Sequence, residues 1–137
     1  EKKLLRMVAQ HADGWNAMPG VPVDAMQKKM DVLRRHCDAV DRDYDSIQKS
    51  LFILCCLVDD DAELRTRGAD LERALGTPDI IKGGRKIRTA GTPEQVAETL
   101  RGFQDLGFDY FIAMFPYQQD KEMLQRFSEQ VVPLLKS

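Results

Sequence analysis

Residues 89–116, TAGTPEQVAETLRGFQDLGFDYFIAMFP, carry a helix start, a helix stop and a strand in one uninterrupted run. Gly91 breaks the preceding segment, and the Thr92 hydroxyl can accept hydrogen bonds from the first free N–H groups of a helix. Pro93 suits the first helical position, where a missing N–H costs nothing. Val96, Leu100 and Phe103 then recur at spacings of four and three, which makes one apolar stripe to bury. Leu106 extends the stripe, and Gly107 supplies a left-handed stop. After a short turn, Tyr110 to Phe115 is almost wholly apolar. A run apolar on both faces suits a strand covered on both sides, as in a parallel sheet. The stretch predicts an αβ unit.

Working upstream, Gly76 to Ala90 is a loop with Pro78, Gly83-Gly84 and the basic residues Lys82, Arg85, Lys86 and Arg88. Before it lies a helix with Leu64 and Leu71, running to about Leu75. Asp59-Asp60-Asp61 places negative charge where it suits that helix's N-terminus. Ile47 to Val58 holds a second continuously apolar strand, centred on Leu51 to Leu57. Still earlier, Asp24 is the expected cap of a helix with Met26, Met30, Leu33, Cys37 and Val40 on one face. A loop with Pro19, Gly20 and Pro22 separates it from a short strand, Ala12 to Asn16, and from a first helix over residues 2–11. Downstream, Met123, Leu124, Phe127, Val131 and Val132 mark a last amphipathic helix ending near Pro133.

Helices alternating with strands imply right-handed crossovers and a parallel sheet. Three strands with two bare edges are a poor independent solution, so the pattern predicts part of a larger fold. The first helix agrees, because Glu1-Lys2-Lys3 enters Leu4, Leu5, Met7 and Val8 with no capping residue and no initiator Met. The expectation is that residue 1 is not the natural start.

With 137 residues, 43% of them hydrophobic, the chain can build one real core. A formal net charge of −2, with both signs interspersed, gives no footprint for nucleic acid or an anionic membrane. No apolar run reaches the roughly 18 residues of a membrane span. Three cysteines, two of them adjacent, are no disulfide framework and suit a reducing cytoplasm.

Few side chains invite chemistry. Asn16 ends a strand and could hydrogen-bond a ligand, although Asn also turns chains there. A lone Trp15 is more often core than pocket wall. Asp13 suits a backbone-satisfying role, and His11 and His36 have no second ligand at metal spacing. Cys55 and Cys56 alternate across a strand and cannot hold one metal together. The cluster Lys82, Arg85, Lys86 and Arg88 could grip a phosphate, against the plainer reading of a solvated loop. No Ser/His/Asp triad is present, and no general acid or base stands out.

Three segments, EKKLLRMVAQHADGWN (1–16), KKMDVLRRHCDAVDRDYDSIQKS (28–50) and AGTPEQVAETLRGFQDLGFDYFIAMFP (90–116), resemble the C-terminal half of the luciferase-like monooxygenase family. They are most similar to its branch of coenzyme F-420 (deazaflavin)-dependent oxidoreductases. The resemblance covers nearly the whole chain, in the family's order. It implies an α/β fold, with residues 1–137 a single partial domain: the C-terminal half of a (β/α)8 barrel whose last three strands these would be. The helix near 60–75 and the loop 76–90 would be an insertion. The implied cofactor is coenzyme F-420 or FMN, exchanging a hydride with a small organic substrate, with oxygen chemistry if FMN is used.

A (β/α)8 barrel works at the C-terminal ends of its strands. The resemblance therefore points to Trp15 and Asn16, to the residues after Leu57, and to Phe115-Pro116. Glu1 and Lys2 would open the helix facing the cofactor phosphate, where free N–H groups favour an anion. Glu1, Lys2, Trp15 and Asn16 are thus the expected cofactor contacts. The family's glycine-rich phosphate loop and most ring-lining residues are not in this sequence, so the chain alone is expected to be catalytically silent. The alternative is a non-catalytic half-barrel that pairs through its open edges as a homodimer or higher oligomer.

Overall fold

The computed structural model describes residues 2–18, 20–75, 89–115 and 120–136. In chain order the elements are α1 (Lys2–His11), β1 (Gly14–Ala17), α2 (Val23–Asp38), a 3-10 turn (Tyr44–Ser46), β2 (Gln48–Leu57), α3 (Asp61–Leu75), β3 (Thr89–Gly91), α4 (Pro93–Gln104), β4 (Tyr110–Met114) and α5 (Asp120–Arg126). A π-helical turn, Phe127–Val131, joins α5 to α6 (Val132–Leu135).

The expected architecture is present: a parallel sheet with helices packed on it. β2 is its central strand, pairing in parallel with β1, β4 and, at its last three residues, β3. The short strand β3 falls partly within the stretch assigned to a loop ending at Ala90. Three residues between a long loop and a cap carry too little periodicity to show as a strand, but Thr89 to Gly91 pair with Cys55 to Leu57. The rest of that loop, including Lys82, Gly83, Gly84, Arg85, Lys86 and Arg88, lies outside the described residues.

Local chemistry explains the elements. Thr92 and Gln95 form a reciprocal capping box, with Pro93 in the first turn of α4. Gly107 ends that unit at φ +92°, the left-handed conformation only glycine adopts cheaply. Gly102 lets α4 approach α2, since a Cβ there would come within 3.2 Å of Val23. Asp60 caps α3, its Oδ1 accepting from the N–H groups of Ala62 and Glu63 at 2.8 Å. Asp24 does not cap α2. Pro22 holds the cap position without a side-chain bond, and Asp24 sits one residue inside, adding its charge to the helix start.

The core lies between the sheet and its helices. Trp15, Ala17, Leu51, Ile53 and Cys55 face it from the strands, and Met26, Met30, Leu33, Val96, Leu100 and Phe103 from the helices. Phe108, after the Gly107 turn, is the largest fully buried side chain among the described residues; it packs edge-on against Phe103, with centroids 5.9 Å apart, and tilted against Trp15 at 6.1 Å.

The opposite face of the sheet is open, which corrects the expectation that β4 is covered on both sides. Tyr110, Ile112 and Met114 are 53%, 41% and 41% exposed. Their register partners on β2 are Ser50, Phe52 and Leu54, and Asn16 of β1 pairs with Ser50. Paired residues share a face, so these seven side chains form one surface, polar at Asn16 and Ser50 and mostly apolar beyond.

Candidate functional site

Only two residues separate α1 from β1, so α1 runs back along the strand. Its N-terminus then lies at the pole where the strands end. The same pole carries the starts of α3 and α4, each following a strand end directly. Several helix N-termini directed at one end of a parallel sheet make that end the favourable place for an anionic ligand.

Of the four expected contact residues, only Trp15 and Asn16 have described side chains, and these two do not share a face. Glu1 lies outside the described residues, and of Lys2 only the backbone, opening α1, is described. Asn16 and Trp15, adjacent on β1, point to opposite faces. Trp15 is 8% exposed and turned into the core against Phe108. Asn16 is exposed on the open face, where its Oδ1 accepts from the Ser50 hydroxyl at 3.2 Å. That bond orients the carboxamide and turns its two N–H donors to other partners. Asn16 and Ser50 are therefore the polar pair of the open face, with Phe52, Leu54, Ile112 and Met114 forming an apolar floor beside them. Ser50 was missed from the sequence because a serine inside a strand carries no signal until its register partner is known.

Beyond Leu57, the rim of the pole carries a charged network. Arg126 Nη2 donates to Asp59 Oδ1 at 2.6 Å. The Asp59 N–H donates to Glu63 Oε2 at 2.6 Å, and the other Glu63 oxygen pairs with Arg67. The Asp59 N–H, then the Arg67 guanidinium, hold the Glu63 carboxyl below its usual range against an opposing desolvation. At the end of β4, the ring of Phe115 meets Phe127 edge-on, centroids 5.7 Å apart. Arg126 and Phe127 had no signal in the sequence beyond helical spacing. Pro116 lies outside the described residues.

At the opposite pole, the buried Lys49 donates from Nζ to the Tyr44 carbonyl at 2.9 Å and stands 4.0 Å from the centre of the Tyr44 ring. Arg34 stacks on the same ring at 4.5 Å. Such cation–π stacking at the start of the strands stabilises the fold. The three cysteines are free and buried, and burial pushes the Cys55 thiol up to about 12. Thiols so placed stay protonated and unreactive. Among the described residues, no group of three His, Cys, Asp or Glu side chains could hold a metal, and no helix is long and apolar enough to cross a membrane.

No protein-family model and no curated protein matches the sequence. Solved structures do. A long-chain alkane monooxygenase superimposes with a TM-score of 0.69 at 17% identity, over 99% of this chain and 39% of its own. A coenzyme F-420-dependent secondary alcohol dehydrogenase, solved with an F-420–acetone adduct, gives a TM-score of 0.73 at 11% identity, over 99% of this chain and 47% of its own. The coenzyme F-420-dependent tetrahydromethanopterin reductase of Methanopyrus kandleri gives 0.69 at 11% identity, over 97% and 48%. The fold is that of part of a (β/α)8 barrel. The chain spans less than half the length of each of these three structures.

Proposed function

We propose that this chain is the C-terminal part of a luciferase-like oxidoreductase that uses coenzyme F-420 or FMN. Such a cofactor supplies hydride transfer to or from a small organic substrate, and the protein positions both and excludes water. The observation that carries this reading is the open face. Parallel strands that bury one face under helices and leave an apolar floor with one polar pair on the other are the wall of a barrel interior. The flat, apolar ring of a flavin or deazaflavin would sit where that face ends at the C-terminal ends of the strands, with Asn16 offering donors to its polar edge. The backbone N–H groups opening α1 at Lys2 would face its phosphate.

Two of the three solved structures above are coenzyme F-420-dependent and the third is a monooxygenase, so titration decides between F-420 and FMN. The protein carrying this chain should quench or shift the absorbance of F-420 or of FMN at micromolar concentrations, and Asn16→Ala should weaken that binding. Failure to bind either cofactor overturns the proposal. Free, buried thiols suit a reducing compartment, and we propose a cytoplasmic location on that ground.

The same open face favours a second reading for the chain by itself. An exposed apolar sheet surface, with outer edges on β1 and β4 that no strand among the described residues pairs, is a template for association. A chain of this length expressed alone would then form a homodimer or higher oligomer with no catalysis. Light scattering showing a monomer at high concentration would rule that out.

A further inference from the structure

We propose that the π turn at Phe127–Val131, imposed by Pro133, sets the register with which Arg126 and Phe127 hold the C-terminal rim of the sheet. The pair are positioning residues for the ligand pole, a role that rests on the function proposed above. The helix of residues 120–135 was expected to stop near Pro133, yet it continues to Leu135. In a regular α-helix the Pro133 ring would meet the carbonyl of Glu129, and no N–H would answer it. The backbone opens instead, and the wide turn closes at Val131, two residues before the proline.

The widening has a consequence for packing. Met123 and Val131 are both buried, at 3% and 0% exposure. Eight positions along an ideal α-helix drift by about 80° around its axis. The i→i+5 winding of a π turn takes up that drift, so both side chains reach the same core. Downstream of the turn the helix is tied to α4, where Arg101 Nε donates to the Leu134 carbonyl at 3.1 Å. Upstream, two adjacent residues touch two strand ends: Arg126 meets Asp59 after β2, and Phe127 meets Phe115 after β4. Through Asp59 and Glu63 the same contact reaches the start of α3. Removing one residue from the turn would rotate the upstream half by about 100° relative to the downstream anchor, lifting both contacts at once.

The test uses the protein carrying this chain. A double-mutant cycle on Arg126→Met and Asp59→Asn should give a coupling of roughly threefold to tenfold in the folding equilibrium constant. Deletion of Ser128 should abolish that coupling and raise amide exchange at residues 58–63 and 111–115 about tenfold, leaving α2 unchanged. Arg126→Lys should restore part of the coupling. Binding of F-420 or FMN, whichever the protein takes, should weaken several-fold in the deletion variant. Should that variant not fold, Pro133→Ala, which restores the N–H at full chain length, decides by the same exchange readout. Coupling and exchange unchanged in either background overturn the register claim. A parent protein that binds neither cofactor overturns the functional reading of the pole, while the cycle still decides the register.

Discussion

The two faces of the sheet are both apolar, but they do different work. Leu51 and Ile53 of β2 point into the helical layer and are almost fully buried, while Phe52 and Leu54, their neighbours on the same strand, belong to the surface that includes the exposed Ile112 and Met114. Apolarity alone says that a strand expects cover. Only the packing shows which cover is supplied by these helices and which face is left for something else.

The largest effect should come from the covered face. Phe108→Ala removes the side chain that Trp15 and Phe103 close upon, and should cost about 3–5 kcal/mol, read from urea unfolding. A loss under about 1 kcal/mol would mean that this layer is loosely packed, and the contrast between the faces would collapse.

The second prediction tests the open face directly. Ile112→Ser in the chain expressed alone should change stability by no more than about 0.5 kcal/mol, as at an exposed position. In the protein carrying a completed barrel, the same change buries an unsatisfied hydroxyl and a cavity, and should cost about 2–3 kcal/mol. Equal small effects in both would show that nothing covers this face.

How much of this contrast was legible in the sequence follows from what carries each signal. The α4–β4 unit was plain because Thr92, Pro93 and Gly107 each act through local backbone geometry, and the structure reproduces all three roles. The helix faces of Met26, Met30, Leu33 and Cys37, and of Val96, Leu100 and Phe103, followed from period alone. The open face could not be seen, since Leu51 and Phe52 are equally apolar and strand alternation shows only when the two faces differ in polarity. Asn16 stood out as a strand end, but its pairing with Ser50 depends on a register set 34 residues away in the chain. The continuation of the last helix through Pro133 was hidden because a proline reads locally as a stop, and only the π turn makes it tolerable.

A third prediction concerns the capping that positions α4 under the sheet. Thr92→Ala removes the hydroxyl that accepts from the Gln95 N–H and should cost about 1 kcal/mol. That is smaller than any core change, because it perturbs one end of a helix whose buried face stays intact. A loss of several kcal/mol would mean that the cap, and not the Val96–Leu100–Phe103 stripe, holds the helix in place.

The smallest effect belongs to the rim, where the two faces meet and where charge replaces packing. The Glu63 carboxyl is held low first by the Asp59 N–H and then by Arg67. A carboxylate whose folded pKa lies below its unfolded value of about 4.3 stabilises the fold above that pH. The contribution is lost as pH falls through the folded value. Glu63→Gln should therefore lower stability slightly at neutral pH and flatten the acid limb of the stability curve below about pH 4.3, measured by thermal unfolding from pH 7 to pH 3. At neutral pH the difference should be small, because the pair is partly solvated and salt screens it. If Glu63→Gln instead matched Phe108→Ala in cost, the rim network would rank with the covered face, and the sheet would be held at its end as strongly as across its core.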